Sequence, residues 1–237
     1  GVDFSDERLL RTPVFFNKIK QYLEKLTAMH PDSIKVSADY LVEKARANKE
    51  VFKFVVYYIT VTYETSHVMG YDAVFVHMAK KYYLTRQAYW VDSTQNAKIV
   101  NRALKLDLTL IGKPCPPLVM QDTMGVTRSL YNVKANYTIL FLWDPGCGHC
   151  TKTAPKLVEA YNEKLKAKGV EVYAIGTETD LDEWKKFIRE QKMNFINVCD
   201  PRHQTNFKYT FDIYSTPVIY LLDEKKVIAA KRIDVEQ

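Results

Sequence analysis

The stretch from residue 138 to residue 157 constrains the fold of this chain more than any other. An apolar run at residues 138–143 is followed by Asp144-Pro-Gly and then by two cysteines, Cys147 and Cys150. The run is typical of a buried strand, and the residues after the turn favour a helix. A helix that begins here carries Cys147 at its N-terminus, where unpaired backbone N–H groups and the helix dipole stabilise a negative charge.

The spacing of these two cysteines predicts redox chemistry. Cys147 and Cys150 can close a disulfide across the first helical turn, and thiols in such sites can have pKa values of ~3.5–7.5, compared with ~8.5 for a free cysteine. Cys147 is therefore the predicted nucleophile, and Cys150 is predicted to resolve the mixed disulfide that forms. The alternatives are a zinc site or a structural disulfide. A zinc site requires a second ligand pair, whereas Cys115 and Cys199 are isolated in the sequence. We expect no metal and no cofactor beyond the redox-active disulfide.

Charge and hydropathy exclude other function classes. The net charge is +6, but no block of like charge is longer than a pair, which indicates a solvated basic surface rather than a nucleic-acid site. The longest apolar run, at residues 51–63, is interrupted by Lys53 and is too short to span a bilayer. The sequence begins at Gly1 rather than Met, so the absence of a visible signal segment carries little weight.

Two halves of the chain differ in their hydrophobic patterns. Residues 1–110 show helical periodicity and predict an all-α domain of about five helices, near residues 13–29, 33–45, 49–68, 72–83 and 93–110. The third of these is dense in β-branched and aromatic residues, so a strand is the alternative, although its length favours a helix. His67 and His77 do not share a helical face, which argues against a metal pair. The aromatic residues at 82, 83, 89 and 90 pack internally or form a partner-binding patch.

Residues 111–237 alternate between strand and helix patterns. The proline-rich segment at 112–117 is a natural boundary, since prolines exclude helix. Strands are expected near 138–143, 170–176, 195–198, 217–222 and 226–231. Asp180 is expected to open a helix. This order predicts an α/β sandwich with a central mixed sheet.

The second half resembles the thioredoxin superfamily, and in particular its TlpA/ResA-type members. The residues that carry the resemblance are Cys147-Gly-His-Cys150, Pro155 in the following helix, and Thr216-Pro217 before an apolar strand. It covers about residues 111–235 and implies a thioredoxin-like α/β sandwich after the helical domain. Thioredoxin-like folds commonly end with one more helix, so we expect the chain to be a truncated form.

The resemblance also implies a function, a compartment and partners. It implies a thiol–disulfide oxidoreductase that exchanges disulfides with protein thiols and disulfides in the periplasm or cell envelope. The sequence does not name the upstream redox donor, and we expect no nucleic-acid partner. A membrane tether through a segment outside this chain is compatible with the resemblance. The Gly-His pair between the cysteines resembles disulfide isomerases, whereas TlpA-type proteins are usually reductants, so the direction of electron flow stays open.

Further residues receive roles from the same resemblance. Pro217 matches the superfamily's cis-proline, beside the dithiol, and Thr216 belongs to the loop that offers backbone groups to an extended substrate. Trp143 either walls the site or packs in the core. Gly148 and His149 lie between the cysteines, where a positively charged His149 would stabilise the thiolate.

The proton acceptor is less directly indicated. Acidic positions of the superfamily are occupied here by Phe141 and Thr153, but Glu178 matches the acidic position that follows the next strand in the ResA-like group. Glu178 is the candidate for accepting the Cys150 proton, with a surface loop carboxylate as the alternative. Asp144 replaces the small residue usual in that group and could tune the charge near the sulfurs.

Two other functions compete with the oxidoreductase. A thiol peroxidase shares the same framework, but peroxiredoxins place threonine three residues before the reactive cysteine, where this chain has Asp144. In the other alternative, the helical half is a partner-binding module that targets the redox domain.

Overall fold

The computed structural model describes residues 2–177 and 180–236 and divides into two compact units, Gly1–Asp107 and Leu108–Gln237. The division lies three residues before the boundary expected from the sequence. The first unit is helical, and the second combines helices with a mixed sheet. The predicted fold class, an all-α domain followed by a thioredoxin-like α/β sandwich, is therefore confirmed.

The helical unit contains the predicted helices with shifted ends. Its α-helices are α1 (Pro13–Gln21), α2 (Pro31–Ala45), α3 (Lys49–Glu64), α4 (Asp72–Met78) and α5 (Ser93–Asp107). Single π-helical turns at Tyr22–Leu26 and Ala79–Tyr83 continue α1 and α4. The prediction that α2 starts near residue 33 was wrong, because Pro31 fits the first helical position, where no N–H is needed.

Packing decides the ambiguous third segment in favour of a helix. Val55, Val56 and Ile59 of α3 are fully buried at helical spacing, so the helix is stabilised by tertiary contacts despite the weak propensity of β-branched residues. Trp90 packs edge-on against Phe52, Tyr83 and Tyr89 within this unit. The aromatic cluster accordingly belongs at least in part to the core of the helical unit.

His77 has a structural partner in the same unit. Its Nε2 atom lies 2.9 Å from Oδ1 of Asp39, and Nζ of Lys81 lies 2.8 Å from Oδ2 of the same carboxylate. His67 is exposed. None of the helices built from the described residues combines the length and hydropathy needed to cross a membrane.

The second unit is built on a sheet of seven strands among the described residues. They are β1 (Val119–Asp122), β2 (Thr127–Ser129), β3 (Tyr137–Trp143), β4 (Val170–Gly176), β5 (Ile196–Cys199), β6 (Val218–Asp223) and β7 (Ile228–Lys231), in the spatial order β2-β1-β5-β4-β3-β6-β7. Strands β3, β4 and β5 are parallel, and the flanking pairs are antiparallel. Helices α6 (Gly148–Ala160), α7 (Leu181–Glu190) and α8 (Phe207–Thr210) connect them.

β3 is buried on both faces. Ile139, Phe141 and Trp143 join the core cluster that includes residues of α6 and α7. Leu140 and Leu142 alternate with them and join the cluster on the opposite face. This explains why the strand reads as a continuous apolar run, as parallel strands covered on both sides do.

The parallel register brings three strand ends to one edge of the sheet. Trp143 of β3 pairs with Gly176 of β4, and Gly176 pairs with Cys199 of β5. The turn that carries Cys147 follows directly after Trp143. The carboxyl edge of the sheet is thus the part of the fold that positions the predicted redox site.

Gly176 offers a test of this packing. A Cβ atom at this position would overlap the indole ring of Trp184. We expect Gly176→Ala to lower the free energy of unfolding by about 1–3 kcal/mol, because overpacking displaces the buried ring. Urea denaturation of the full chain measures this.

The double variant Gly176→Ala/Trp184→Phe is the matched control, since the smaller ring makes room for the methyl group and should recover part of the loss. A Gly176→Ala chain that unfolds at the wild-type urea concentration would contradict the close approach of Trp184 to β4.

Candidate active site

Cys147 and Cys150 lie at the start of α6, immediately after β3 and a short turn. Cys147 is the N-cap residue of the helix, and its Sγ accepts a hydrogen bond from the Cys150 backbone N–H at 3.3 Å. Cys147 is partly exposed, whereas Cys150 is fully buried. Both are free thiols in this structure. Only the first sulfur of the pair is therefore directly open to a partner.

The loop before β6 approaches the first thiol from a distant part of the sequence. The Cys147 thiol donates a hydrogen bond to the Thr216 carbonyl oxygen at 3.0 Å, and the Thr216–Pro217 peptide bond is cis. Residues 147 and 216 are far apart in the chain, so only the tertiary structure brings them together. The predicted site residues Cys147, Cys150, Thr216 and Pro217 thus form one cluster.

The two thiols differ in their acidity. Burial is the largest influence on Cys147 and raises its pKa, but hydrogen bonds from the Thr216 side chain, from Cys150 and from the His149 backbone outweigh it. The pKa of Cys147 is therefore lowered below its ordinary value. Burial raises the pKa of Cys150 to about 12. One sulfur is prepared to act as a thiolate, and the other keeps its proton.

Asp144 connects the turn to the end of β4. Its Oδ1 accepts the Gly146 backbone N–H at 2.8 Å, and its Oδ2 accepts the Thr177 hydroxyl at 3.0 Å. The backbone of Asp144 touches both cysteines, because its carbonyl accepts the Cys147 N–H at 3.1 Å and its N–H lies 3.5 Å from the Cys150 sulfur. No sequence prediction included Thr177, because its position directly after a parallel strand does not by itself distinguish it.

Trp143 is core rather than surface. It is fully buried, and its ring stacks on Phe187 with centroids 4.6 Å apart. It belongs to the same core cluster as Cys150. Of the two interpretations of Trp143, the structure supports packing in the core and not direct contact with a substrate, because the ring is fully buried.

The remaining predicted site residues are Gly148, His149 and Glu178. Gly148 and His149 are exposed on the first turn of α6, beside Cys147. Glu178, the predicted proton acceptor, lies outside the described residues. Its neighbour Thr177 is described and donates its backbone N–H to the Trp143 carbonyl at 2.8 Å.

Cys115 and Cys199 are buried. Burial raises the pKa of Cys115 to about 12. Burial, with the neighbouring Asp200 charge, raises the pKa of Cys199 to about 11. Within residues 2–177 and 180–236, no group of three or more histidine, cysteine or acidic side chains could hold a metal ion.

The difference in acidity predicts selective alkylation. With iodoacetamide, the reduced chain should be modified first at Cys147, because the thiolate is the reactive form and Cys147 combines exposure with a lowered pKa. The rate should rise with pH and reach half its maximum below ~8.5, the value of a free cysteine. Mass spectrometry of peptides from a pH series measures this.

Cys147→Ser is the control and should abolish the fast phase. Faster labelling of Cys115 or Cys199 than of Cys147 would contradict the assignment of the exposed thiol.

Family models match both units. Residues 111–231, about half of the chain, match the AhpC/TSA family. Residues 1–106 match a domain of unknown function, DUF5106.

Solved and curated relatives point to the same class. A domain of a possible thiol-disulfide isomerase from Cytophaga hutchinsonii has 52% sequence identity and a TM-score of 0.51, over 54% of this chain and 86% of its own. A thioredoxin-like protein from Bacteroides caccae covers all of this chain and 86% of its own with a TM-score of 0.75, which at 20% identity shows a shared fold. Thiol-disulfide oxidoreductase ResA of Bacillus cereus is 28% identical over 51% of this chain and 68% of its own.

The fold, the dithiol turn and these matches agree with one another. The second unit is a thioredoxin-like oxidoreductase domain that is similar to the ResA-type enzymes. Because the AhpC/TSA model matches half of the sequence, the chain belongs to the AhpC/TSA family.

Proposed function

We propose that this chain catalyses thiol–disulfide exchange with protein substrates through Cys147 and Cys150. The observation that carries the proposal is the asymmetry of the pair. Cys147 is partly exposed with a lowered pKa, and Cys150, three residues later, is buried with a pKa raised to about 12. A nucleophile needs the first set of properties, and a resolving thiol that waits for the mixed disulfide needs the second.

The reaction in the reducing direction has two steps. The Cys147 thiolate attacks one sulfur of a substrate disulfide, so that a Cys147–substrate disulfide forms, the substrate S–S bond breaks, and one substrate thiolate leaves. Cys150 then loses its proton and attacks Cys147, which forms the Cys147–Cys150 disulfide and releases the second substrate thiolate. The substrate disulfide gains two electrons and the enzyme dithiol loses them. The reverse sequence oxidises a substrate dithiol.

Four residues around Cys147 are proposed to contact the substrate. Thr216 and Pro217 lie beside Cys147, and the Thr216 carbonyl accepts a hydrogen bond from the Cys147 thiol at 3.0 Å. An extended substrate backbone that approaches Cys147 would meet this segment. Exposed Gly148 and His149 form the other side, where a protonated His149 would favour the thiolate and make the disulfide more oxidising.

We infer that the exchange takes place outside the cytoplasm, in the periplasm or cell envelope, with the helical unit as a module that binds a partner. The similarity to ResA-type enzymes supports the compartment. A peroxidase is not favoured, because Asp144 replaces the expected threonine and the named relatives are thiol-disulfide oxidoreductases or thioredoxin-like proteins.

Reduction of insulin by dithiothreitol, followed as turbidity, tests the role of the dithiol. Cys147→Ser should lose the catalysed rate entirely, because no other described thiol combines exposure with a lowered pKa. Cys150→Ser should accumulate a mixed disulfide on Cys147, since the resolving thiol is missing. Non-reducing mass spectrometry detects this adduct.

Cys115→Ser is the matched control, since Cys115 lies in the core cluster on the opposite face of the sheet. It should retain the wild-type rate. Insulin reduction by Cys147→Ser at the wild-type rate would contradict the proposal.

Glu178 is proposed to accept the Cys150 proton during resolution. Glu178→Gln should slow insulin reduction at neutral pH by at least about tenfold, because positioned general bases contribute this much or more. The loss should shrink as pH rises, since hydroxide then removes the proton. A pH–rate profile of the two proteins gives the comparison.

Glu190→Gln, at the far end of α7, is the control and should behave as wild type. Equal pH–rate profiles for Glu178→Gln and wild type would contradict this role and favour the alternative that Glu178 is a surface loop carboxylate.

A further inference from the structure

Asp144 is the feature of the site that neither the family resemblance nor the dithiol chemistry accounts for. The ResA-like group has a small residue at this position, whereas this chain has a carboxylate. A charged group beside two sulfurs affects their ionisation, so its placement has chemical consequences.

The Asp144 carboxylate is held by two hydrogen bonds from different segments. The Gly146 N–H, at 2.8 Å from Oδ1, closes a turn within the loop. The Thr177 hydroxyl, at 3.0 Å from Oδ2, fastens the carboxylate to the end of β4, and Thr177 is itself buried. A Cβ atom on residue 146 would lie 3.2 Å from Oδ1, so glycine leaves room for this close approach.

Covalent geometry places this charge near the dithiol. The Asp144 backbone nitrogen lies 3.5 Å from the Cys150 sulfur. An aspartate carboxylate lies within about 4 Å of its own backbone nitrogen, so the negative charge lies within about 7–8 Å of that sulfur. At this range in a partly buried site, a carboxylate interacts measurably with a thiolate.

Other titratable residues lie on the elements around the turn. They are His149 and Lys152 on α6, which are exposed, Asp180 and Lys185 on α7, and the buried Asp200 after β5. The loop that carries Thr216 and Pro217 contributes Tyr214, which is also exposed. Asp144 is therefore the described carboxylate that is fastened directly to the turn between the strand and the dithiol.

We propose that Asp144 is a positioning residue that holds one negative charge beside the Cys147–Cys150 pair and thereby makes this couple more reducing. The inference rests on the proposed thiol–disulfide exchange. Thiolates form only in the reduced state, so a nearby negative charge disfavours the reduced form relative to the neutral disulfide. The same carboxylate orders the turn through Gly146 and Thr177.

The test is the equilibrium of the full chain with reduced and oxidised glutathione, with thiols counted after acid quenching. Asp144→Asn keeps the size of the side chain and an acceptor for the Gly146 N–H but removes the charge. The equilibrium constant for oxidation of glutathione by the disulfide form should be about fivefold to tenfold higher for Asp144→Asn than for wild type at about pH 8. This corresponds to a reduction potential that is about 20–30 mV higher. The constant should rise less than about twofold at a pH at least about one unit below the midpoint of the Cys147 alkylation profile, where the thiol is protonated and carries no charge for the carboxylate to repel.

Three variants separate the charge from its surroundings. Thr177→Val keeps the charge and removes one of its two hydrogen bonds, so it should shift the constant less than Asp144→Asn. Asp122→Asn is the matched control, because Asp122 also accepts an N–H two residues ahead, from Met124, but in the turn between β1 and β2. It should leave the constant within about twofold of wild type at both pH values. Asp144→Ser, whose hydroxyl can accept the Gly146 N–H, replaces Asp144→Asn if that variant does not fold.

Different outcomes overturn different statements. If the wild-type chain shows no reversible Cys147–Cys150 dithiol–disulfide couple, both the proposed function and this inference are wrong. A wild-type couple that neither Asp144→Asn nor Asp144→Ser shifts overturns the inference and leaves the proposed function standing. A shift of equal size at both pH values, or one matched by Thr177→Val or Asp122→Asn, would mean that the charge at Asp144 does not set the equilibrium.

Discussion

The burial of β3 in the middle of the sheet is the constraint on which the rest of the second unit depends. Its side chains alternate between two core clusters, and its neighbours β4 and β6 pair with it along almost its whole length. Such a strand has little freedom to shift in register, because a shift by one residue would exchange its two faces. The end of β3 at Trp143 is therefore a fixed point for whatever follows it.

The proposed redox site follows directly after the end of β3. The turn after Trp143 places Cys147 at the start of α6 and sends Cys150 inward, one helical turn later. The two identical side chains consequently meet opposite environments. Hydrogen bonds at the helix start favour the thiolate of Cys147, while apolar surroundings disfavour it at Cys150. The proposed roles of Cys147 as nucleophile and Cys150 as resolving thiol thus rest on the geometry of one helix end.

Sequence patterns predicted much of this arrangement because the signals are local. Apolar runs identified β3 and β4, a cysteine pair marked the start of α6, and Asp180 marked the start of α7. Errors arose where local signals compete with packing. The start of α2 was predicted near residue 33, whereas Pro31 is its first residue, and the sequence left open whether Trp143 lines the site or packs in the core, where its ring stacks on Phe187. Thr177 went unnoticed because a lone threonine after a strand carries no distinctive pattern.

By itself, the sequence determined the order of the elements and pointed to the proposed reactive pair, since these depend on spacing and periodicity within short segments, and the resemblance of its motifs indicated the family. The tertiary structure alone decided which distant groups meet that pair. Thr216 reaches the Cys147 thiol across 69 residues, and Thr177 reaches the Asp144 carboxylate across 33. The physical reason is that the parallel register of β3 with β4, and the antiparallel register of β3 with β6, bring these residues to one edge of the sheet. Hydrogen bonds between strands set that alignment, and no local pattern records it.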